Sequence, residues 1–411
     1  MTATINAQRL WDSLMQLAGI GATKKGGVCR LALSDLDGEA RALFIGWCKE
    51  AGCSVKVDAI GNIFARRSGQ DAHAPAVVTG SHIDTQPSGG KFDGNYGVLA
   101  GLEVVRTLND LRLKTRASIE VAVWTNEEGS RFTPGMMGSG VFVGEFELEA
   151  VLQRADIDGV SVGDALRRIG YAGAERAGGR PLGAYFEAHI EQGPILENER
   201  KVLGVVLGAL GLRWYDVVIS GQDAHAGPTP MRLRKDALVA AARIVAEVNT
   251  LADRYRPDGR GTVGFMQVKP NSRNVVPGEV RFSVDLRHAE DAPLERMERE
   301  MRAACEHLAS AERCTASVER VACYPACRFD SGCVSAVRQV AQQLGLSHMD
   351  IVSGAGHDAI YLARVCPTGM IFVPCEGGIS HNEIENAKPE HLAAGCNVLL
   401  QVMLERAGTV P

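Results

Sequence analysis

The sequence predicts an α/β protein of two domains: a mostly parallel sheet covered by helices, with a compact α+β unit inserted into it. Three observations carry this. As far as about residue 130, apolar runs alternate with segments of helical period, the rhythm of βαβ units. After Gly211 the pattern changes to strands that alternate apolar and polar residues, as in Arg213-Trp-Tyr-Asp-Val-Val-Ile-Ser220. A helix over 332–345 and a strand over 369–374 then resume the first pattern. The expected division is 1–211 with 329–411 for the sheet domain and 212–328 for the insert.

The elements follow in order. Residues 7–20 have helical period through Leu10, Leu14 and Leu17. Residues 36–52 form a second helix with Leu43, Phe44 and Trp47 on one face. Ala76-Val-Val-Thr-Gly80 is a buried strand, and a helix runs from Tyr96 to Leu111. Ser118–Thr125 and Tyr185–Gly193 each contain a strand-like run. The Gly/Pro-rich stretch Gly173–Gly183 is a surface loop. In the insert, an amphipathic helix spans 235–256, strands cover 261–268 and 279–287, a charged helix spans 291–309, and a strand covers 315–321.

Composition sets bounds on function. The 411 residues suffice for two domains and a large core. Hydrophobic content of 45% and charged content of 23% are those of an ordinary globular protein. A net charge of −5 gives no reason to expect nucleic acid or an anionic membrane as partner. No apolar run is long enough for a membrane span. The start, Met1-Thr-Ala-Thr-Ile-Asn, lacks the features of a secretion signal, and a cytoplasmic location is expected. The 11 cysteines are scattered, and neither Cys48/Cys53 nor Cys323/Cys327 belongs to a paired zinc pattern.

The chemistry concentrates at strand ends. Gly80-Ser-His-Ile-Asp-Thr85 and Lys91-Phe-Asp-Gly-Asn95 place His82, Asp84 and Asp93 within twelve residues. Glu127 and Glu128 follow the strand ending near Thr125, His189 lies in a mixed apolar run, and His381 follows Met370-Ile-Phe-Val-Pro374. Two imidazoles and a carboxylate can hold one zinc with an open position. Five or six such groups suit two divalent ions roughly 3.5–4 Å apart, with Asp93 a candidate bridge. Consecutive residues of an extended segment face opposite sides, although a bend at the strand end could bring both into the site; of Glu127 and Glu128 one is expected to bind metal and the other to face the attacking water. Asp84, two residues past His82, either fixes the imidazole tautomer by a hydrogen bond or caps the strand end.

With GSHIDT, GGKFDGNYGV, TNEEGSRF, HIEQGPILE, DAHAGPTPMRLRKDAL, NVVPGEVRFSVDLRH, SGAGHDA and GGISHNE in place from residue 80 to 383, the chain resembles the M20 metallopeptidase clan. It is most similar to the branch of N-carbamoyl-L-amino acid hydrolases, β-ureidopropionases and allantoate amidohydrolases. General M20 peptidases often carry an acidic residue where this chain has His189, and the HIEQG form points to the ureido-hydrolysing branch.

The resemblance implies one ion on His82, Asp93 and His189 and a second on Asp93, Glu128 and His381, with Glu127 as general base. It implies that the insert is a lid and dimer contact, and that the protein is a homodimer. Spacing alone would make His225 a loop histidine and Arg287 a solvated cation. The resemblance instead implies that His225 stabilises the developing oxyanion, from the partner subunit, and that Arg287 grips a substrate carboxylate. Asn274 and Gln192 would support it, and Gly356 and His357 would line the wall near the substrate. The implied reaction is hydrolysis of N-carbamoyl-β-alanine or an N-carbamoyl-L-α-amino acid to amino acid, ammonia and carbon dioxide. Allantoate hydrolysis and an M20-type dipeptidase or aminoacylase activity are the alternatives, and a metal-binding protein without activity ranks last. Zinc is the default ion, and the same donors suit manganese, cobalt or nickel.

Overall fold

The computed structural model describes residues 3–410. Met1, Thr2 and Pro411, at the ends of the expected ranges 1–211 and 329–411, lie outside the described residues. The chain divides into two compact units, one running to Leu207 and resuming at Arg328, the other Gly208–Cys327.

The first unit is built on a large mixed sheet. At its centre four strands lie parallel in the order Ile119–Trp124, Ala76–His82, Leu182–Ile190, Thr368–Val373. Every residue of Ile119–Trp124, Ala76–His82 and Thr368–Val373 is buried, as in parallel strands covered on both faces. Antiparallel strands flank this centre: Ile63–Arg67 and then Ser54–Val57 on one side, Leu203–Ala209 on the other. The helix Asn95–Asp110 packs on Ala76–His82 and is covered by the helices Ala7–Ala18 and Pro389–Ala407, so it is apolar nearly all round. The helix Asp35–Glu50 starts at Ser34, whose hydroxyl accepts the Asp37 amide. On that helix Arg41 and Asp37 form a fully buried ion pair at 2.8 Å, and Arg41 also donates to the Gly61 carbonyl.

The second unit is an antiparallel sheet with the order Arg260–Thr262, Glu279–His288, Gly211–Ser220, Thr315–Tyr324. Alternation along Gly211–Ser220 buries Tyr215, Val217 and Ile219 under the helices Ala237–Arg254 and Asp291–Ala311. The single strand expected over 261–268 is two, Arg260–Thr262 and Met266–Lys269. Residues between them leave the ladder, and the Phe265 carbonyl returns to accept the Ser283 amide. Among the described residues no helix is long and apolar enough to cross a membrane.

Candidate metal centre

The four central parallel strands end side by side, and each delivers a polar residue there. His82 ends the strand Ala76–His82, and His189 is the penultimate residue of Leu182–Ile190. Glu127 and Glu128 lie three and four residues beyond Trp124, and His381 lies in the loop after Val373. Ligands in parallel sheets bind at this edge. Asp93 reaches it from the turn before the helix Asn95–Asp110, where Gly94 has φ 66° and ψ −48°.

Asp93 turns one carboxylate oxygen to each of two groups of donors. Its Oδ1 is 3.3 Å from His189 Nε2 and 3.8 Å from His82 Nε2. Its Oδ2 is 3.3 Å from His381 Nε2, which is 3.3 Å from Glu128 Oε2. Ligands about 2.1 Å from a tetrahedral ion stand roughly 3.4 Å from one another, so both triads fit a divalent metal. The ring nitrogens facing away are also fixed. His82 Nδ1 meets the Asp84 carbonyl at 2.9 Å and His189 Nδ1 the Ile190 carbonyl at 2.8 Å. A carbonyl only accepts, so Nδ1 carries a proton, and it is Nε2 that would present a lone pair to a metal in the site.

Asp84 therefore differs from the first of its two expected roles. Its main-chain carbonyl, not its carboxylate, holds His82. The strand ends at His82, so side-chain alternation no longer governs position 84. The carboxylate instead accepts the amides of Glu127 and Glu128 at 3.3 and 3.2 Å. Asn126 has a left-handed φ of 55°, and its side chain donates to the Phe132 and Pro134 carbonyls. That bend lets consecutive residues share the site: Glu128 joins His381, and Glu127 Oε2 lies 3.5 Å from His82 Nε2.

The charge balance points the same way. Burial opposes ionisation of Asp93, but the imidazoles of His189 and His381 outweigh it and hold the carboxyl well below its usual range. Burial raises Glu127 well above a normal glutamate, and the charges of Asp358, Glu128, Asp84 and Asp93 add to this. Burial, then Asp93, brings Glu128 to about 8. Such crowding of carboxylates is what a divalent cation would relieve.

Other residues support this edge. Gln192, at φ 58°, donates to Asp93 Oδ2 at 2.8 Å, and its buried Oε1 has no partner. His357 is buried with its ring 4.6 Å from that of His189 and its Nε2 2.9 Å from Ser353 Oγ, so it backs the triad rather than joining it. Gly356 lies against Met136: an added Cβ would sit 3.4 Å from its sulfur. Sequence reading missed three supports. Glu385 accepts the amides of Phe92 and Asp93, the hydroxyl of Ser380 lies between Glu385 and Asp93, and Gln86 donates to Glu128. Nothing local in the sequence marks Glu385, because the amides that it holds lie about 290 residues away.

The second unit holds the other expected residues. His225 is exposed and its strand pairs with Val275–Val276, next to Asn274. Its Nδ1 accepts the Gly227 amide, leaving Nε2 as a donor. Asn274 is exposed and accepts from Ala226 and Ser272. Arg287 is half-buried on Glu279–His288, with its guanidinium 2.8 Å from Asp285.

The family model of peptidase family M20/M25/M40 matches residues 78–405. An N-carbamoyl-L-amino-acid amidohydrolase of Rhizobium meliloti is 51% identical over 410 residues, covering 99% of this chain and 98% of that protein. An allantoate amidohydrolase of Bacillus subtilis is 34% identical over 398 residues, covering 96% of this chain and 97% of that protein. Among solved structures, an amidase of the hydantoinase/carbamoylase family from Burkholderia multivorans has a TM-score of 0.97 at 57% identity, covering 99% of each chain.

Proposed function

The chain belongs to peptidase family M20/M25/M40, and from that premise we propose that it is a metal-dependent amidohydrolase of N-carbamoyl-L-amino acids. Water adds to the carbamoyl carbon, and the products are the amino acid, ammonia and carbon dioxide. The observation that carries the chemistry is Asp93, turned between two donor triads with Glu127 beside His82. The substrate class rests on the relative that is 51% identical over nearly the whole chain.

His82, Asp93 and His189 would hold one ion, and Asp93, Glu128 and His381 a second. Two such ions, zinc by default and manganese, cobalt or nickel as alternatives, would polarise the carbamoyl oxygen and draw the pKa of water from about 15.7 toward about 7. Glu127 takes a proton from the attacking water and returns one to the leaving nitrogen. Asp84 holds the Glu127 and Glu128 amides, which fixes where both carboxylates point. His225 donates from Nε2 to the oxygen that gains charge, as part of a homodimer in which the second unit, as lid, serves the partner's site. Arg287 grips the substrate carboxylate, and Asn274, Gln192, Gly356 and His357 line its surroundings. The buried, unpartnered Oε1 of Gln192 suits a ureido N–H donor. A cytoplasmic location is part of the same reading.

Ammonia release by metal-reconstituted protein tests this. The panel is several N-carbamoyl-L-amino acids, N-carbamoyl-β-alanine and allantoate, with a dipeptide followed by amine release. Ammonia from the N-carbamoyl-L-amino acids is expected. Turnover of allantoate alone would favour the activity named for the 34% identical relative, and amine from the dipeptide without any ammonia would overturn the proposal.

A further inference from the structure

Arg30 is 1% exposed, yet none of the hydrogen-bond acceptors around its guanidinium is charged. Its Nε donates to the Ile83 carbonyl at 2.8 Å. Its Nη1 donates to the carbonyls of Leu17 and Ile20, at the end of the helix Ala7–Ala18, at 3.0 and 2.7 Å. Its Nη2 donates to Asn95 Oδ1 at 2.6 Å. Burying a cation among neutral acceptors is costly, and here the four hydrogen bonds and the nearby charges of Asp37 and Asp84 offset it.

These contacts meet at the candidate centre. Ile83 stands between His82 and Asp84, and the Asp84 carbonyl fixes the His82 ring. Asn95 passes the contact on, because its Nδ2 donates to the Asp93 carbonyl at 3.0 Å. The Arg30 backbone is tied in as well: its amide donates to Thr85 Oγ1 and its carbonyl accepts the Thr85 amide. We infer that Arg30 is a positioning residue, a rigid clamp that sets the spacing between the strand end bearing His82 and the loop bearing Asp93. The planar fork of a guanidinium reaches four acceptors at fixed angles, and a lysine ammonium cannot. Arg30 acts through Ile83 and Asn95 and touches none of the donors.

The inference rests on the metal reading of the cluster, and the experiment separates the two. The full-length protein, Arg30→Lys and Asn95→Ala are titrated with zinc against a chromogenic chelator, and each is melted in EDTA. Each variant should bind zinc roughly 10–100-fold more weakly than the wild type, the usual effect of disturbing residues behind metal ligands. The double variant should be less than additive, since both changes break one connection. Asn95→Ala takes an acceptor from a buried cation and should lower the metal-free melting midpoint, so zinc is titrated well below that midpoint; lost affinity in fully folded protein is what a merely structural role would not predict. Wild-type affinity in Arg30→Lys would show that charge alone suffices and would overturn the clamp. If Arg30→Lys does not fold, Asn95→Ala decides alone, and unchanged affinity there overturns the inference. A wild-type protein that binds no zinc would overturn the metal reading and this inference with it.

Discussion

A β-carbon at Gly94 would lie 2.3–2.4 Å from three atoms of the His82 ring, and the backbone there has φ 66°. Gly94→Ala must therefore move His82 or the turn that carries Asp93. A loss on the order of 1–3 kcal/mol is expected, together with lost metal. Denaturant unfolding and metal analysis of the purified variant check this, and full metal content at wild-type stability would contradict it. Glu127 is read as the base, so Glu127→Gln should keep its metal while kcat falls about 10²–10⁴-fold. A wild-type kcat would remove Glu127 from that role. At this scale much of the site is legible in the sequence. His82 and His189 lie at the ends of apolar runs, Glu128 and His381 lie in segments that follow such runs, and Asp93 is brought in by the turn before the next helix. Glu385 and Arg30 are not legible, because what they hold is backbone from distant segments. The role of the Asp84 carbonyl could not be read either, since a main-chain contact leaves no trace in residue type.

Among the elements, the buried central strands were plain as apolar runs, since both faces of a parallel strand are covered. Ser54–Val57 has no buried residue and gives no such signal, and the break between Thr262 and Met266 is set by a return contact to Ser283. The helix Asp35–Glu50 shows what an element owes to a single pair. Arg41 binds Asp37, the Gly61 carbonyl and Thr125 Oγ1, joining this helix to the strand end that leads to Glu127. Asp37→Ala would leave the guanidinium buried and unpaired and remove the acceptor for the Leu33 amide. A loss of about 3–5 kcal/mol is expected. Urea unfolding measures it, and a change under about 1 kcal/mol would mean that the remaining acceptors suffice.

For the whole molecule, the insert is legible because the period of burial changes. The central strands Ala76–His82, Ile119–Trp124 and Thr368–Val373 of the first unit are buried throughout, whereas Gly211–Ser220 alternates. The charges of the candidate centre give the molecule a pH response. Burial opposes protonation of His189, but Asp93 outweighs it and raises the imidazole to about 9; the bond to Asp93 takes His381 to about 9 as well. Burial raises Glu128 to about 8, and Asp84 and Glu385 to about 7. In every case the fold keeps a proton that the unfolded chain has released, so stability falls as pH rises. For the carboxyls the loss starts above about pH 4 and ends near 7–8; for the histidines it runs from about 6.5 to about 9. Metal-free protein should thus melt progressively lower between about pH 6 and about pH 9, and metal-loaded protein should show a smaller decline. A flat metal-free profile would contradict these assignments. The side chains of His82 and His189 are 2% and 1% exposed, whereas that of His381 is 51% exposed. On the two-ion reading, a chelator should strip the protein in two phases, the His381 position first. The deeper place would then hold whatever ion was at hand when the chain folded, and the shallower one would follow the ions in the medium at the time. Two batches of identical sequence, made in different growth media, would be different catalysts until the deeper ion is exchanged.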